Sequence, residues 1–254
     1  MTTVIAVTNQ KGGVGKTTTA INTAFYLAKS GKKTLLIDFD PQGNATSGLG
    51  IDKQKLEYGT MSDVMLEQRS LQEVILETAH KNLFVAPTTP HLANTEAELS
   101  NALRRFSRLK NAIANTTAYD IVIIDCPPSL SLLTVNGLIA AKYILLPVQA
   151  EFYALEGLGQ LLETMKLIRE KMNPQLDLIG VLPTMVDSRT TLSNQVHDEI
   201  KKHFPAKVFK TVIPRNIRLA EAPSHGVPVG AYDRFSKGAR AYKALTKEVL
   251  ERMA

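Results

Sequence analysis

The chain has 254 residues, of which 44% are hydrophobic and 21% charged, a composition typical of a folded globular protein and not of a disordered or collagen-like one. Its single cysteine, Cys126, excludes an internal disulfide and any metal site that needs two thiolates from one chain. Residues 2–7 predict a strand and lack the features of a signal peptide, and no apolar run approaches the ~20 residues that span a bilayer. We therefore expect a cytoplasmic protein without a transmembrane segment.

Positive charge is concentrated in the last quarter of the chain. The net charge is +6, but residues 189–254 alone hold 13 basic and 6 acidic residues, a local +7, which leaves −1 for the remainder. Each Lys or Arg near a phosphate releases condensed counterions, so this asymmetry favours nucleic acid or an anionic membrane as the partner. Solvated helix faces, such as residues 199–202, are the alternative interpretation.

Strand-sized apolar runs alternate with helix-length stretches along the whole chain. The runs are residues 4–8, 34–37, 83–86, 121–124, 143–148, 178–182 and 208–213. They are rich in Val, Ile and Leu without clean alternation, which is typical of strands covered on both faces. The pattern predicts an α/β fold, with one domain over residues 1–254 and a mostly parallel twisted sheet of about 7–8 strands between helices.

A glycine-rich loop, residues 11–18 (KGGVGKTT), follows the first predicted strand and leads into an apolar helix. Glycines let backbone N–H groups turn toward phosphate oxygens, and the helix N-terminus adds a partial positive charge. Lys16 can reach the β- and γ-phosphates, and the Thr17 hydroxyl can bind Mg²⁺. This order predicts a P-loop NTPase fold that binds phosphates through Lys11, Gly12, Gly13, Val14, Gly15, Lys16, Thr17 and Thr18.

The loop departs from the usual phosphate-binding pattern at two positions. Gln10 stands where that pattern has glycine, and Lys11 is an additional lysine. With these features the loop resembles the deviant Walker A loop of the ParA/MinD group of P-loop ATPases. The resemblance implies that ATP and Mg²⁺ are the cofactors. It also implies that Lys11 crosses the interface of an ATP-bound dimer and contacts the partner subunit's phosphates.

Carboxylates close two of the predicted strands. Asp38 and Asp40 follow the second strand, and Asp125 follows the strand at residues 121–124 as in a Walker B site. Because open α/β sheets gather ligands at the carboxyl ends of their strands, we expect these carboxylates beside the glycine loop. Asp125 then suits Mg²⁺ next to Thr17.

Residues 38–44 (DFDPQGN) also resemble a conserved element of the ParA/MinD group. That match implies that Asp40 orients and activates the attacking water and that Asp38 supports the Mg²⁺ shell. The alternative is that both aspartates serve as turn or helix-cap residues before Pro41. Cys126 is expected to be a small core residue and not a nucleophile.

With phosphates, metal and water accounted for, and no arrangement specific to an acceptor molecule, the predicted reaction is hydrolysis of ATP. Its predicted catalytic residues are Asp40, Lys11 and Lys16. Residues 213–223 (IPRNIRLAEAP) match an element of the same group, which implies that Pro214 and Asn216 lie against adenine, with help from Met185.

The residues present exclude one group of proteins with this fold and argue against another. A single cysteine cannot supply the paired thiolates of nitrogenase iron protein or of iron–sulfur scaffold ATPases. A MinD-like membrane-surface ATPase remains the alternative. However, the C-terminal stretch, residues 241–254, has a narrow apolar stripe without Phe or Trp, which favours packing onto the domain over membrane insertion.

The chain resembles the ParA/Soj chromosome-partitioning branch along its whole length. The matching blocks are KGGVGKTTTA, DFDPQGNATSGLG, VIIDCPPSLSLLTVNGL, PVQAEFYALEGLGQLL, DSRTTLSNQV and VIPRNIRLAEAPSHGVPV. The loop begins at residue 11, so we expect the short form that lacks an N-terminal helix-turn-helix domain. The resemblance implies an ATP-dependent homodimer on the nucleoid, a ParB-like centromere-binding partner and contact with a replication initiator.

The resemblance implies that the basic C-terminal quarter binds double-stranded DNA without sequence preference. Arg189 and Arg218 match positions used for DNA binding in Soj-like proteins. Charge and region alone add Lys201, Lys202, Lys237, Arg240, Lys243 and Lys247. Phosphate contacts do not read sequence, and no base-reading motif is present. Surface charge without a ligand, and a nucleotide-binding module with negligible turnover, are the remaining alternatives.

Overall fold

Seven strands form one sheet in the computed structural model, which describes residues 2–57, 59–116, 118–151, 158–187 and 191–254. The strands are β1 (Thr3–Val7), β2 (Thr34–Asp38), β3 (Leu76–Glu77), β4 (Leu83–Ala86), β5 (Ile121–Asp125), β6 (Tyr143–Gln149) and β7 (Asp177–Thr184). Their order is β3-β4-β2-β5-β1-β6-β7. The pairing between β3 and β4 is antiparallel, and the other pairs are parallel.

The central strands are apolar on both faces because each face carries its own core. In β1, Val4 and Ala6 belong to one buried cluster, whereas Ile5 and Val7 belong to the other. Successive side chains of a strand point to opposite faces, so a run without polar alternation has to be covered twice. This is the physical reason for the sandwiched sheet.

Twelve helices are seen in the described part of the chain. They are α1 (Lys16–Lys29), α2 (Asn44–Gly48), α3 (Met61–Met65), α4 (Leu71–Val74), α5 (Leu92–Leu99), α6 (Arg108–Ala114), α7 (Leu132–Ala140), α8 (Leu158–Lys171), α9 (Thr191–His203), α10 (Ile217–Glu221), α11 (Val229–Tyr232) and α12 (Lys237–Met253). α1 and α12 share the core of one face, and α5 to α8 pack on the other. None of the helices described is long and apolar enough to cross a membrane.

Six of the seven predicted strands are present, but the prediction of a strand at residues 208–213 was wrong. The segment makes one isolated bridge, from Val208 to Val181 of β7, and the backbone N–H groups of Phe209 and Ile213 each donate to a β7 carbonyl without forming a continuous ladder. The backbone N–H groups of Lys210 and Thr211 donate to the Glu248 carboxylate of α12 and not to a neighbouring strand. The seventh strand is β3, whose two residues are too short to give a sequence pattern.

Candidate functional site

The carboxyl ends of β2, β5, β1, β6 and β7 lie side by side along one edge of the sheet. In the register of β2 and β5, Asp38 is paired with Asp125. The glycine loop follows β1, the next strand in the order, and Thr184 ends β7. The parallel topology thus brings together residues that are far apart in the chain, as the sequence predicted.

Backbone geometry holds the glycine loop in an open curve before α1. Gly13 and Gly15 have φ angles of 76° and 88°, in the left-handed region that favours glycine, and Gly15 is the N-cap of α1. A Cβ added at Gly12 or Gly13 would meet no atom of the described residues within 4 Å. Unpaired N–H groups at a helix N-terminus bind anions, so this curve suits phosphate oxygens.

Two strands on one side of β1 hold the loop in place. The Asn9 side chain accepts a hydrogen bond from the Lys11 backbone N–H (3.0 Å) and donates one to the Pro147 carbonyl (2.7 Å). The buried Thr184 hydroxyl donates to the carbonyl of Val14 at 2.8 Å. These contacts join the loop to β6 and β7, and no local sequence pattern predicted them.

Lys16 is buried, with 6% of its surface exposed, and lies at the centre of the site. Its Nζ donates to the carbonyl oxygen of Lys11 at 2.9 Å. Burial lowers the pKa of Lys16, while the nearby Asp125 and Asp40 act in the opposite direction. A buried ammonium group with one backbone partner has further donors for phosphate oxygens.

Lys11 points to the opposite side of the loop. Its Nζ is 3.2 Å from Glu151 Oε2, just beyond β6, and both side chains are about half exposed. The second oxygen of Glu151 accepts a short hydrogen bond from Gln149. The structure therefore separates the two lysines of the loop, with Lys16 inside the site and Lys11 at its surface.

The acidic residues are completely buried and only partly hydrogen-bonded. Asp38 Oδ2 accepts hydrogen bonds from the backbone N–H (2.7 Å) and the hydroxyl (2.6 Å) of Thr46. Within the described residues, Asp38 Oδ1 and both oxygens of Asp125 have no hydrogen-bond partner. A buried carboxylate oxygen without a hydrogen-bond donor is energetically unfavourable. These three oxygens therefore need a bound cation or a proton.

The same environment changes the acidity of both carboxyl groups. Burial, partly offset by the hydrogen bonds from Thr46, raises the pKa of Asp38 to about 7. Burial, followed by the proximity of Asp38, raises the pKa of Asp125 well above its ordinary value, while the nearby Thr17 hydroxyl and Lys16 act in the opposite direction. A cation would reverse this effect by favouring the ionised forms.

These residues fit magnesium held jointly with a ligand. No cluster of three or more His, Cys, Asp or Glu able to hold a metal exists among the described residues. Mg²⁺ requires oxygen ligands and usually binds through one or two carboxylates, water and the phosphates of a substrate. Asp125, Asp38 and the Thr17 hydroxyl supply the protein's oxygens for such a site.

Asp40 follows Asp38 by two residues, just beyond the end of β2, with 7% of its surface exposed. Its Oδ1 accepts a hydrogen bond from the Gln42 backbone N–H at 3.0 Å. Its charge raises the pKa of Asp38 and opposes the lowering of the pKa of Lys16, which places it near both groups. The turn role and the site role of Asp40 are therefore compatible.

A cleft of about 240 Å³ opens beside the end of the glycine loop. It brings together the three residues expected to contact the base, Met185, Pro214 and Asn216, with walls from Gly15, Thr18, Thr184, Ile213, Arg215, Leu219, Ala220 and Tyr242. The buried Oδ1 of Asn216 has no hydrogen-bond partner in the described part of the chain. An apolar cleft with one free acceptor suits a flat ring that carries an amino group.

Two features of the cleft were missed by sequence reasoning. Met185 has a φ angle of 54°, an uncommon backbone conformation for a residue with a side chain, at the point where β7 ends. Tyr242 reaches the cleft from α12, near the other end of the chain. The backbone conformation of Met185 and the contact made by Tyr242 carry no local signal, since both depend on how distant segments pack.

The basic residues proposed for DNA occupy different environments. Arg189 lies outside the described residues. Arg218 is exposed but paired with Glu221 (2.7 Å) and Asp233 (3.4 Å). Lys202 pairs with Glu199 (2.9 Å) and Lys247 with Glu251 (3.7 Å). The remaining side chains are exposed and have no ion pair among the described residues; they are Lys201, Lys237, Arg240 and Lys243.

The C-terminal helix packs on the sheet, as its narrow apolar stripe predicted. Tyr242, Leu245 and Val249 are buried in the core that α12 shares with α1. Cys126 is likewise a buried core residue, and burial raises the pKa of its thiol. A thiol with a raised pKa is a poor nucleophile at neutral pH.

A glycine loop between strand and helix, a buried lysine and two strand-end carboxylates define a P-loop nucleotide-binding protein. Residues 2–178 match the family model AAA_31, an AAA domain. The chain is 53% identical over 247 residues to sporulation initiation inhibitor protein Soj of Bacillus subtilis, covering 97% of both chains. It is 50% identical over 250 residues to chromosome partitioning protein ParA of Myxococcus xanthus, covering 98% of this chain and 88% of that one. The chain therefore belongs to the Soj/ParA family of chromosome-partitioning ATPases.

Solved structures share the fold over nearly the whole chain. Cobyrinic acid a,c-diamide synthase from Mycobacterium smegmatis, with bound ADP and magnesium, superposes with a TM-score of 0.88 at 38% identity, covering 100% of this chain and 96% of that one. The cell division ATPase MinD of Pyrococcus furiosus has a TM-score of 0.80 at 24% identity, covering 100% of both chains. The second likeness concerns the fold alone.

Proposed function

We propose that residues 1–254 act as one magnesium-dependent ATPase domain that dimerises with ATP bound and then binds duplex DNA without sequence preference. The observation that carries the proposal is the group of three buried carboxylate oxygens without partners, on Asp38 and Asp125, beside the glycine loop. They need a cation that the phosphates of a nucleotide would share. The process served in this proposal is chromosome or plasmid partitioning, and the name of the Myxococcus xanthus relative supports the chromosomal case.

In this proposal, each polar side chain around the phosphates has its own role. Lys16 binds the terminal phosphates with the donors that are not used by the Lys11 carbonyl. Asp40 holds and orients the attacking water, and its buried position limits access of bulk water. Magnesium, when bound, neutralises phosphate charge. Lys11 is free to exchange Glu151 for a phosphate of the partner subunit, because an exposed ion pair contributes little stability.

The base site favours adenine over guanine. Asn216 offers a buried acceptor, Oδ1, to the exocyclic amino group of adenine, and Pro214 and Met185 supply apolar contact. With the Asn216 amide in the orientation found here, guanine would place its carbonyl oxygen against Oδ1, so that two acceptors would face each other. A buried acceptor without a donor is unfavourable by about 1–3 kcal/mol.

Dimerisation doubles the basic surface offered to DNA. The electrostatic part of the binding free energy grows with the number of phosphates engaged at once, so two joined basic faces bind far more tightly than one. Hydrolysis then returns monomers that bind DNA weakly. A ParB-like protein that stimulates hydrolysis, a replication initiator as a further contact and a nucleoid location belong to the same proposal and rest on the family alone.

Binding of a nonspecific duplex by the wild-type chain, with ATP, with ADP and without nucleotide, tests this proposal. We expect a dimer by light scattering and tight, salt-sensitive DNA binding only with ATP. Asp40→Ala should hold the protein on DNA by preventing hydrolysis. If Asp40→Ala changes neither ATPase rate nor release, the chain is a nucleotide-binding module without functional turnover. A monomer at saturating ATP with equal DNA affinity in all states rejects the proposal.

A MinD-like membrane-surface ATPase is the second candidate, but the apolar residues of α12 that such a protein would insert into a membrane, Tyr242, Leu245 and Val249, are buried in the core. Co-sedimentation with anionic liposomes, at the salt concentration of the DNA assay, separates the two candidates. We expect ATP to increase binding to DNA and not to liposomes.

A further inference from the structure

One buried hydrogen bond joins the phosphate-binding helix to the C-terminal helix. Thr19 Oγ1 in α1 lies 3.1 Å from Tyr242 Oη in α12, although the two residues are separated by 223 positions in the chain. Thr19 is 0% exposed and Tyr242 is 1% exposed. Water cannot easily replace this bond, so movement of either helix relative to the other leaves a buried hydroxyl without a partner.

Thr19 belongs to the turn that receives the phosphates. Its backbone N–H donates to the carbonyl of Gly15 at 2.9 Å, and it follows Thr17 by two residues. Any adjustment of this turn to bound phosphates is therefore passed to Thr19 and, through the buried pair of hydroxyls, to α12.

Tyr242 also touches the base side of the site directly. It lines the cleft of about 240 Å³ together with Thr18 of α1 and Leu219 of α10. α10 and α12 are in close contact, because a Cβ added at Gly238 would lie 2.7 Å from Leu219 Cγ. A ring bound in the cleft thus contacts three helices that meet at Tyr242.

The opposite face of α12 is the basic surface of the C-terminal quarter. Four exposed side chains follow the helical spacing of about three to four residues: Lys237, Arg240, Lys243 and Lys247. The buried and exposed faces belong to one 17-residue helix and move as one rigid element.

We infer that Tyr242 is a positioning residue that links nucleotide occupancy to the placement of the basic face of α12. The inference rests on the proposed function and adds the route by which the nucleotide acts on the DNA-binding surface within one subunit. Phosphates act through Thr19, and the base acts through the cleft. Couplings between sites of this kind commonly change an affinity about 5- to 150-fold.

Amide hydrogen exchange of residues 237–253, with and without a non-hydrolysable ATP analogue, tests the inference in the absence of DNA. The variants are Tyr242→Phe, Thr19→Val and both together. Thr246→Val is the matched control, because among the described residues its buried hydroxyl bonds within α12 alone, to the Tyr242 carbonyl at 2.9 Å. Affinity for the analogue and thermal stability are measured for every variant.

We expect the analogue to slow exchange in wild type and in Thr246→Val, and this slowing to fall about tenfold in Tyr242→Phe and in Thr19→Val. The double variant should lose no more than either single variant, because the two hydroxyls act through one bond. The double variant also leaves neither hydroxyl buried without a partner. It therefore tests the inference even if a single variant does not fold.

The inference is overturned if Tyr242→Phe still binds the analogue and the analogue slows its amide exchange as much as in wild type. It is also overturned if Thr246→Val loses the slowing to the same extent as Tyr242→Phe, or if the analogue does not slow exchange in wild type. The proposed function fails separately, if the wild-type chain with ATP does not bind DNA. The two failures are distinguishable because the exchange measurement uses no DNA.

Discussion

Asp38 and Asp125 are register partners at the ends of adjacent parallel strands, and both are 0% exposed. Two carboxyl groups held this close in an apolar sheet cannot both ionise without a cation. The arrangement lowers the stability of the protein alone, and a cation bound between the two carboxyl groups, as proposed above, would recover it. A trade-off of this kind between stability and function is typical of catalytic centres.

Replacing Asp125 with asparagine should stabilise the protein in the absence of magnesium and nucleotide. Because the folded-state pKa of Asp125 is raised above the ordinary value of 3.8, the native state keeps a proton that the unfolded chain has lost, and the free energy of unfolding falls as pH rises above this value. At pH 8 we expect Asp125→Asn to raise the free energy of unfolding, because the neutral amide avoids the loss of stability that the raised pKa of Asp125 brings at this pH. Denaturant unfolding at several pH values measures this.

The control for Asp125→Asn is Asp52→Asn, since Asp52 is exposed and a hydrogen bond from the Gln54 backbone lowers its pKa. That variant should show no gain at pH 8. The gain in Asp125→Asn should shrink toward pH 4, and magnesium-dependent hydrolysis should be lost. A gain that is independent of pH would contradict the ionisation argument.

Lys16→Ala should lower the affinity for ATP by about 100-fold, equivalent to roughly 2.7 kcal/mol. Lys16 is the buried cation of the loop, and charge-assisted hydrogen bonds to phosphate are stronger than neutral ones. Titration with a fluorescent ATP analogue gives the affinity. Lys29→Ala is the matched control, because Lys29 is exposed at the other end of α1 and should leave the affinity unchanged.

Lys243→Ala should weaken duplex binding more than Lys247→Ala. Lys243 has no ion pair among the described residues, whereas Lys247 lies 3.7 Å from Glu251 and is partly neutralised. Loss of one phosphate contact should reduce the slope of log affinity against log salt by about 0.9. Measuring both variants with ATP at four salt concentrations gives the slopes. Equal slopes in wild type and Lys243→Ala would show that Lys243 does not contact DNA phosphates.

Gly226→Ala should destabilise the fold more than Gly31→Ala. Both glycines have positive φ angles, 65° and 92°, which disfavour alanine by about 1–2 kcal/mol. An added Cβ at Gly226 would also lie 2.7 Å from Gly50 Cα, while at Gly31 it meets no atom of the described residues within 4 Å. Thermal or denaturant unfolding compares the two. Equal losses would mean that the loop carrying Gly226 moves away from Gly50 without penalty.

The sequence determined the phosphate half of the site and most of the sheet. The glycine loop, Asp38, Asp40 and Asp125 each belong to a short contiguous pattern in which a strand is followed directly by its functional residues. Parallel pairing then places all strand ends at one edge, so local patterns were sufficient. Six of the seven strands were recognisable because burial on both faces leaves an apolar run.

Only the tertiary structure decided which residues complete the site. The bond of Tyr242 to Thr19, the pairing of Lys11 with Glu151 and the pairing of Arg218 with Asp233 join segments that no local pattern relates. The apolar run at residues 208–213 is not a strand, because Lys210 and Thr211 in its middle donate their backbone N–H groups to Glu248. Only isolated backbone bonds to β7 remain, such as that from Phe209 to Val181. Such contacts depend on how helices pack across the sheet, and a pattern of neighbouring residues carries no information about a partner that lies far along the chain.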